Sequence, residues 1–371
     1  MPGPFDHVLG HDRPIATLRA AIDAGRVHHA WVFAGPMGVG KLTTARALAS
    51  IILDPTASPT LTGKIEPDPD SQTQRLIRAG SHPDLHVITK ELSAVSEEAT
   101  LRAKKQRNIP IDLLRERMIG GRVPHGSPTG RFIEPVIGKA PQLGHAKVFI
   151  IDEAELLDAY GQNALLKTLE EPPRDSYIIL VTTAEERLLP TIRSRCQRLP
   201  FAPLSHAAMT TWYERVGLDL SKHEHAWLER FAHASPGRAL LAVETGILKW
   251  ATTLEPLLDR IENDQYPVEF APTVAAMLDD WAKDWVTRHE RDTRGAKPSK
   301  EAANHLAARH LFAILADWAS TRIRDAARHH APDLDRRLRA ADLIAEAERQ
   351  LVFNVNPLFA MDNLAAQLAR P

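Results

Sequence analysis

Gly35-Pro36-Met37-Gly38-Val39-Gly40-Lys41 has the residue types and spacing of a phosphate-binding loop. Gly35, Gly38 and Gly40 let the backbone curl so that its N–H groups cradle phosphate oxygens at a helix N-terminus, and the Lys41 ammonium adds a point charge. The next residue is Leu42, where a nucleotide site places a Ser or Thr hydroxyl on Mg²⁺. An alkyl side chain does not ligate a hard cation. Thr43 is no substitute, because one helical step rotates the side chain by about 100°. The segment reads as a nucleotide site altered at its metal.

Other residues have chemistry that such a loop would give a purpose. Val148-Phe149-Ile150-Ile151-Asp152-Glu153 is an apolar run ending in two carboxylates. Beside a bound nucleotide, Asp152 would steady Mg²⁺ through water and Glu153 would position the attacking water; a strand end with an acidic helix cap is the plain alternative. Thr182-Thr183 ends another strand-like run, and the Thr183 hydroxyl either senses a γ-phosphate or caps the next turn. In Ser194-Arg195-Cys196, Arg195 is either half of a surface ion pair or a finger that stabilises transition-state charge on a neighbouring subunit's nucleotide. Ser235-Pro236-Gly237-Arg238 opens a helix with a basic residue in its first turn. That runs against the helix dipole and argues that Arg238 faces an anion.

Several other features carry less. The 17 histidines are scattered, and the adjacent pairs His28-His29 and His329-His330 put their rings on different faces. No His/Asp/Glu spacing matches a ligand frame, so no metal site is expected. Arg102-Ala103-Lys104-Lys105-Gln106-Arg107 either touches DNA phosphates or covers a solvated helix face. Trp281 and Trp285 read as core or interface rather than as a base-stacking platform.

The elements that must position these groups follow from periodicity. Strand patterns occur at Trp31–Ala34, Leu85–Ile88, Lys147–Ile151 and Tyr177–Thr182, and helical ones at Ile15–Ala24, Thr43–Leu53, Ile111–Arg117 and Gln162–Glu170. Such alternation implies an α/β domain with a parallel sheet. Asp54–Asp70 and Gly120–Gly138 read as loops rich in Pro or Gly. From Pro203 strand patterns vanish. Short helices are expected at Ala207–Arg215, His223–His233 and Gly237–Thr245, then a helical block from Trp250 interrupted at Tyr266-Pro267 and Thr293–Ser299. The expected division is an α/β domain over 1–202, a small helical domain over 203–249 and a helical C-terminal domain over 250–371.

Among 371 residues, 46 are basic and 47 acidic, so no global field draws the chain onto nucleic acid or membrane. The single cysteine, Cys196, excludes an internal disulfide and a Cys-based zinc cluster, and fits a reducing cytosol. Neither a signal peptide nor an apolar run of membrane-spanning length is present, and a cytoplasmic protein is expected.

Further strings join these: Phe5-Asp6-His7-Val8-Leu9-Gly10, His29–Gly35, and the helix Asn163–Glu170 stopped by Glu171-Pro172-Pro173. Together with Ser194–Cys196 and Ser235–Arg238, they make the chain resemble the bacterial DNA polymerase III clamp-loader subunits of the AAA+ class, the delta-prime subunit above all. The resemblance is strong over Phe5–Phe201, weaker over the small helical domain and loose beyond Trp250, where Asn354-Val355-Asn356-Pro357 resembles the end of the family's collar. It implies a RecA-like sheet, a lid and an oligomerising collar. The implied partners are gamma/tau and delta subunits in a heteropentamer that spends ATP to place the sliding clamp on primer–template DNA. By that likeness Arg195 would be the finger reaching an adjacent gamma/tau nucleotide, and Arg238 the second sensor position.

The chain departs from the family in three places. Leu42 argues against efficient hydrolysis, yet Lys41, Asp152 and Glu153 leave ATP binding open, with Glu153 a vestigial catalytic group. The zinc module that many relatives carry has no cysteines here, and Asp54–Asp70 takes its place. Gly120–Gly138 looks like an insertion. The expected function is a stationary clamp-loader arm that lends Arg195 in trans. A gamma/tau-like ATP-driven motor is the alternative, and a phosphate-loop kinase for a small metabolite is a remote one.

Overall fold

The computed structural model describes residues 3–60, 63–102, 108–126, 130–289, 300–352 and 355–370. It divides into two compact units, Met1–Asp219 with His233–Gly237, and Leu220–Ala232 with Arg238–Pro371.

The first unit is built on strands β1 (Ala30–Ala34), β2 (Ser58–Pro59), β3 (Ile65–Glu66), β4 (Leu85–Ile88), β5 (Gly121–Val123), β6 (Arg131–Ile133), β7 (Lys147–Ile151), β8 (Ser176–Thr182) and β9 (Gln197–Pro200). Five of them form one parallel sheet in the order β4-β7-β8-β1-β9. Every residue of β1 and β7 is buried, as expected for central parallel strands covered on both faces, and this explains their unbroken apolar runs. The helix Asp12–Asp23 precedes β1, and helices at Lys41–Ile52 and Ala159–Glu170 follow β1 and β7. The sheet shares a core with Leu165 and Leu169 of the last of these helices, among them Phe149, Ile151, Ile178 and Leu180. Asp158 caps that helix, its carboxylate accepting from the Gly161 N–H at 2.6 Å.

The parallel α/β sheet agrees with the sequence expectation, and four of its strands fall where periodicity placed them. The fifth, β9, had no apolar run to betray it: of Gln197-Arg198-Leu199-Pro200 only Leu199 is buried. Asp54–Asp70 contains the short antiparallel pair β2–β3 rather than loop alone. Gly120–Gly138 contains a second such pair, β5–β6. Helix at Ile111–Arg117 is right only over Ile111–Leu114, after which the chain widens into a π turn over Arg115–Ile119.

In the second unit, helices span Lys222–Ala232, Ile247–Glu262, Phe270–His289, Lys300–His329, Leu334–Val352 and Pro357–Leu368, and the helix Pro236–Glu244 belongs to it from Arg238 onward. Trp281 is 8% exposed, donates its indole N–H to the Thr245 carbonyl at 2.7 Å and meets Trp250 edge-on. It belongs to the core, as its spacing implied. Burial pushes the neighbouring His310 imidazole down to about 4. The expected interruption at Thr293–Ser299, residues Ala103–Arg107 of the basic run and Asn354 lie outside the described residues. Among the described residues, no helix is long and apolar enough to cross a membrane.

Candidate functional site

β1 delivers Gly35 to the C-terminal end of the sheet, where its N–H donates to the Thr182 carbonyl at 3.2 Å. The chain beyond β9 closes on it from the other side. A Cβ on residue 35 would stand 2.2 Å from the Phe201 carbonyl oxygen, so only glycine fits. Gly38 and Gly40 both take positive φ, 75° and 110°, and the helix Lys41–Ile52 starts directly afterwards. The backbone curl inferred from the glycine spacing is therefore formed.

The loop is gripped through its carbonyls, which leaves its N–H groups uncommitted to those partners. His11 sends Nε2 to the Val39 carbonyl at 2.6 Å while its ring edge packs on Phe201. Burial lowers the His11 pKa, so the neutral ring with hydrogen on Nε2 is the donor. Ser235 Oγ donates to the Met37 carbonyl at 2.8 Å, and the Gly237 N–H to the Gly38 carbonyl at 2.8 Å. A Cβ on residue 237 would approach Gly38 Cα to 2.7 Å. The Ser-Pro-Gly string thus braces the phosphate loop, a role that reading it for Arg238 alone had missed.

Lys41 is 5% exposed and its ammonium donates to the carbonyls of Gly35 at 2.7 Å and Pro36 at 2.5 Å. Burial pulls its pKa down to about 8, against the opposing pull of Asp152 and Glu155. Leu42 is half-buried and Thr43 exposed. The buried Thr44 hydroxyl donates to its own helix at the Gly40 carbonyl, 2.9 Å away. The residues present fit the phosphates of a nucleotide and do not fit a directly ligated Mg²⁺.

Asp152 and Glu153 end β7 at the same end of the sheet. Burial raises the Asp152 pKa, with the Glu153 N–H bond and Lys41 pulling it back. Glu153 sits at φ 51° in the left-handed region, and its carboxylate is ion-paired with Lys90. Thr183, at the end of β8, gives both its N–H (3.1 Å) and its hydroxyl to Glu155. Those bonds hold the Glu155 carboxyl below its ordinary pKa despite burial. The neighbouring Thr182 hydroxyl caps the next turn by accepting from Ala184 N–H at 3.1 Å. Lys90 and Glu155 were not legible as partners, because each is distant in sequence from the group it holds.

Arg195 lies elsewhere. It precedes β9, whose Gln197 pairs with Trp31 near the start of β1, so it belongs to the N-terminal end of the sheet. The loop leaves from the far end of β1, roughly 13 Å away at strand rise. Arg195 is 35% exposed, with one guanidinium nitrogen 2.7 Å from Glu170 and another 2.9 Å from the Thr191 carbonyl. Burial pushes the adjacent Cys196 thiol up to about 12, so it is no nucleophile at neutral pH. Arg238, in the second unit, stacks its guanidinium 4.9 Å over the Phe231 ring and donates Nε to the Phe231 carbonyl at 3.1 Å. Burial lowers its pKa, and Asp317 is the anion it senses within that unit.

Of the residues singled out from sequence, Gly35, Gly38, Gly40, Lys41, Asp152, Glu153 and Thr183 converge at one end of the sheet, and Arg195 stands at the other. Comparison with known proteins identifies the family. The family described as DNA polymerase III, delta subunit, matches residues 10–205. The DNA polymerase III subunit gamma/tau of Mycobacterium tuberculosis is 32% identical over 218 residues, 58% of this chain and 31% of that protein. The delta-prime subunit of Bacillus subtilis is 34% identical over 211 residues, 57% of this chain and 53% of that protein. The delta-prime subunit of Escherichia coli is 27% identical over 317 residues, 81% of this chain and 84% of that protein. The chain therefore spans about a third of the gamma/tau relative's length.

Proposed function

This chain belongs to the DNA polymerase III delta subunit family, and from that premise we propose that it is a delta-prime-like arm of a clamp loader. In this reading it assembles with gamma/tau and delta subunits, and its part in placing a sliding clamp on primer–template DNA is mechanical. It offers Arg195 to a nucleotide held by a neighbour and turns over little ATP itself.

The observation that carries this reading is the position of Arg195. A guanidinium at the N-terminal end of the sheet is out of reach of the Gly35–Lys41 loop at the other end. Any nucleotide it meets is held by another subunit. The Glu170 pair that restrains it is half exposed, and exposed pairs of this kind cost at most about 1 kcal/mol to break.

The chain's own site supports a passive role. Leu42 offers no ligand for Mg²⁺, and Lys90 holds the carboxylate that would position water. Phosphate entry would exchange the two loop carbonyls on Lys41 for ligand oxygens. Asp152 and Thr183 complete the residues of the first unit proposed to face a bound nucleotide.

The test has two arms. Mixed with gamma/tau and delta subunits, the chain is expected to elute with them from gel filtration; elution alone would refute the assembly. Steady-state hydrolysis by the purified chain with Mg²⁺ is expected to be near background. Several turnovers per second would instead identify an ATP-driven motor of the gamma/tau kind.

A further inference from the structure

A cavity of about 460 Å³ opens beside β4, lined by Arg46, Ile77, His82, Val87, Leu92 and Arg117 among others. β4 is the outermost strand of the sheet, three strand spacings and roughly 14 Å from β1. Its volume is that of a small-molecule site.

The polar groups of this cavity are donors in search of an acceptor. His82 is 5% exposed, and its Nδ1 accepts the Asp84 N–H at 3.2 Å. The hydrogen of the neutral ring therefore sits on Nε2. That nitrogen is buried and has no hydrogen-bond partner among the described residues. Arg117 Nε is buried and unpartnered in the same way, while its Nη2 contacts the Val95 carbonyl at 3.3 Å and Glu116 at 3.1 Å. Arg46 projects from the helix Lys41–Ile52 as an exposed cation. Buried donors without acceptors are rare in native structures and call for an explanation.

Among the described residues, no carboxylate lines the cavity. The two that His82 senses, Asp84 and Asp54, are committed elsewhere. Asp84 accepts the N–H groups of Gln142 and Leu143, and Asp54 accepts from Thr56, Ser71 and Gln74. Burial also lowers the pKa of His86, which stacks on Phe149. Two guanidinium groups and a buried N–H, facing apolar walls from Ile77, Val87 and Leu92, suit a ligand that only accepts at one end and is apolar at the other.

We propose that this cavity is a second anion site, taking a small molecule with a phosphate or carboxylate head on an apolar body, the head held by Arg46, Arg117 and His82. The site is independent of the Gly35–Lys41 loop and does not rest on the clamp-loader reading.

Calorimetric titration of the full chain carrying Lys41→Ala removes the loop's contribution. The probes are phenyl phosphate, benzoate and inorganic phosphate. Phenyl phosphate or benzoate is expected to bind at least about fivefold tighter than inorganic phosphate, and the preferred one identifies the head group. Adding Arg46→Ala, an exposed change that leaves the core intact, is expected to weaken that binding about tenfold. Binding is also expected to move the His82 ring resonances. Absence of saturable binding by all three probes, or binding indifferent to Arg46→Ala, overturns the proposal. Binding in the native chain that vanishes with Lys41→Ala alone assigns the anion to the loop and overturns it too.

Discussion

Lys41 and Arg195 are the two cations that nucleotide chemistry would single out, and the same sheet holds them in opposite ways. Lys41 is 5% exposed, its charge spent on two carbonyls of its own loop. Arg195 is 35% exposed and tethered by a single carboxylate that is itself half in water. Desolvation draws the lysine towards its neutral form. One charge is turned inward, where it braces a bend, and the other is kept at a partly exposed rim. Burial and reach separate a residue that shapes a pocket from one suited to act across a boundary.

Arg195→Ala tests the outward charge and carries the largest expected effect. In a reconstituted assembly whose other nucleotide sites are inactivated, turnover at the facing site should fall about a thousandfold, the range for removal of an arginine finger. The isolated variant should melt within about 1 kcal/mol of the native chain, since only an exposed pair is lost. Unchanged turnover would erase the contrast between the two cations.

Leu42→Thr tests the inward site. It should raise affinity for a fluorescent ATP analogue about tenfold in Mg²⁺ and leave affinity in EDTA unchanged, because the added hydroxyl acts through the metal. Hydrolysis should stay near background while Lys90 holds Glu153. A gain that ignores Mg²⁺ would show that Leu42 closes the pocket by bulk.

The smallest effect is expected from pH. The Lys41 ammonium titrates near 8 in the folded chain against a reference of 10.5. Its charge is mostly present at pH 7 and fades above 8, so the lysine-dependent part of phosphate affinity should drop about threefold between pH 7.5 and 8.5. The stability contribution has the opposite sign. Burying the charged form costs stability below 8, and the unfolded chain holds more protons between 8 and 10.5, so that penalty is relieved and stability rises with pH across that window. Affinity rising with pH would break the assignment of Lys41 as the loop's charge.

The loop, the parallel sheet and the convergence of Lys41, Asp152 and Thr183 were legible because each rests on local pattern. Glycine spacing, apolar runs and carboxylates at a strand end all lie within a few residues of one another. What stayed hidden depends on pairings across long sequence separations. Lys90 and Glu153 are 63 positions apart, and Glu155 and Thr183 are 28 apart. β9 was missed because an edge strand with one buried residue has no alternation to read. Arg238 was expected to meet an anion, and within its own unit it meets Asp317 and the face of Phe231.

Ser235 clasps Met37 across 198 positions. At roughly 5–20 residues per second of synthesis, Met37 leaves the ribosome about 10–40 s before its clasp is made. In that interval the nascent chain can assemble its strands while the Met37 and Gly38 carbonyls await their donors. A truncation before Ser235 should reproduce that intermediate, with the β1 and β7 amides slow to exchange with deuterium and those of the loop fast.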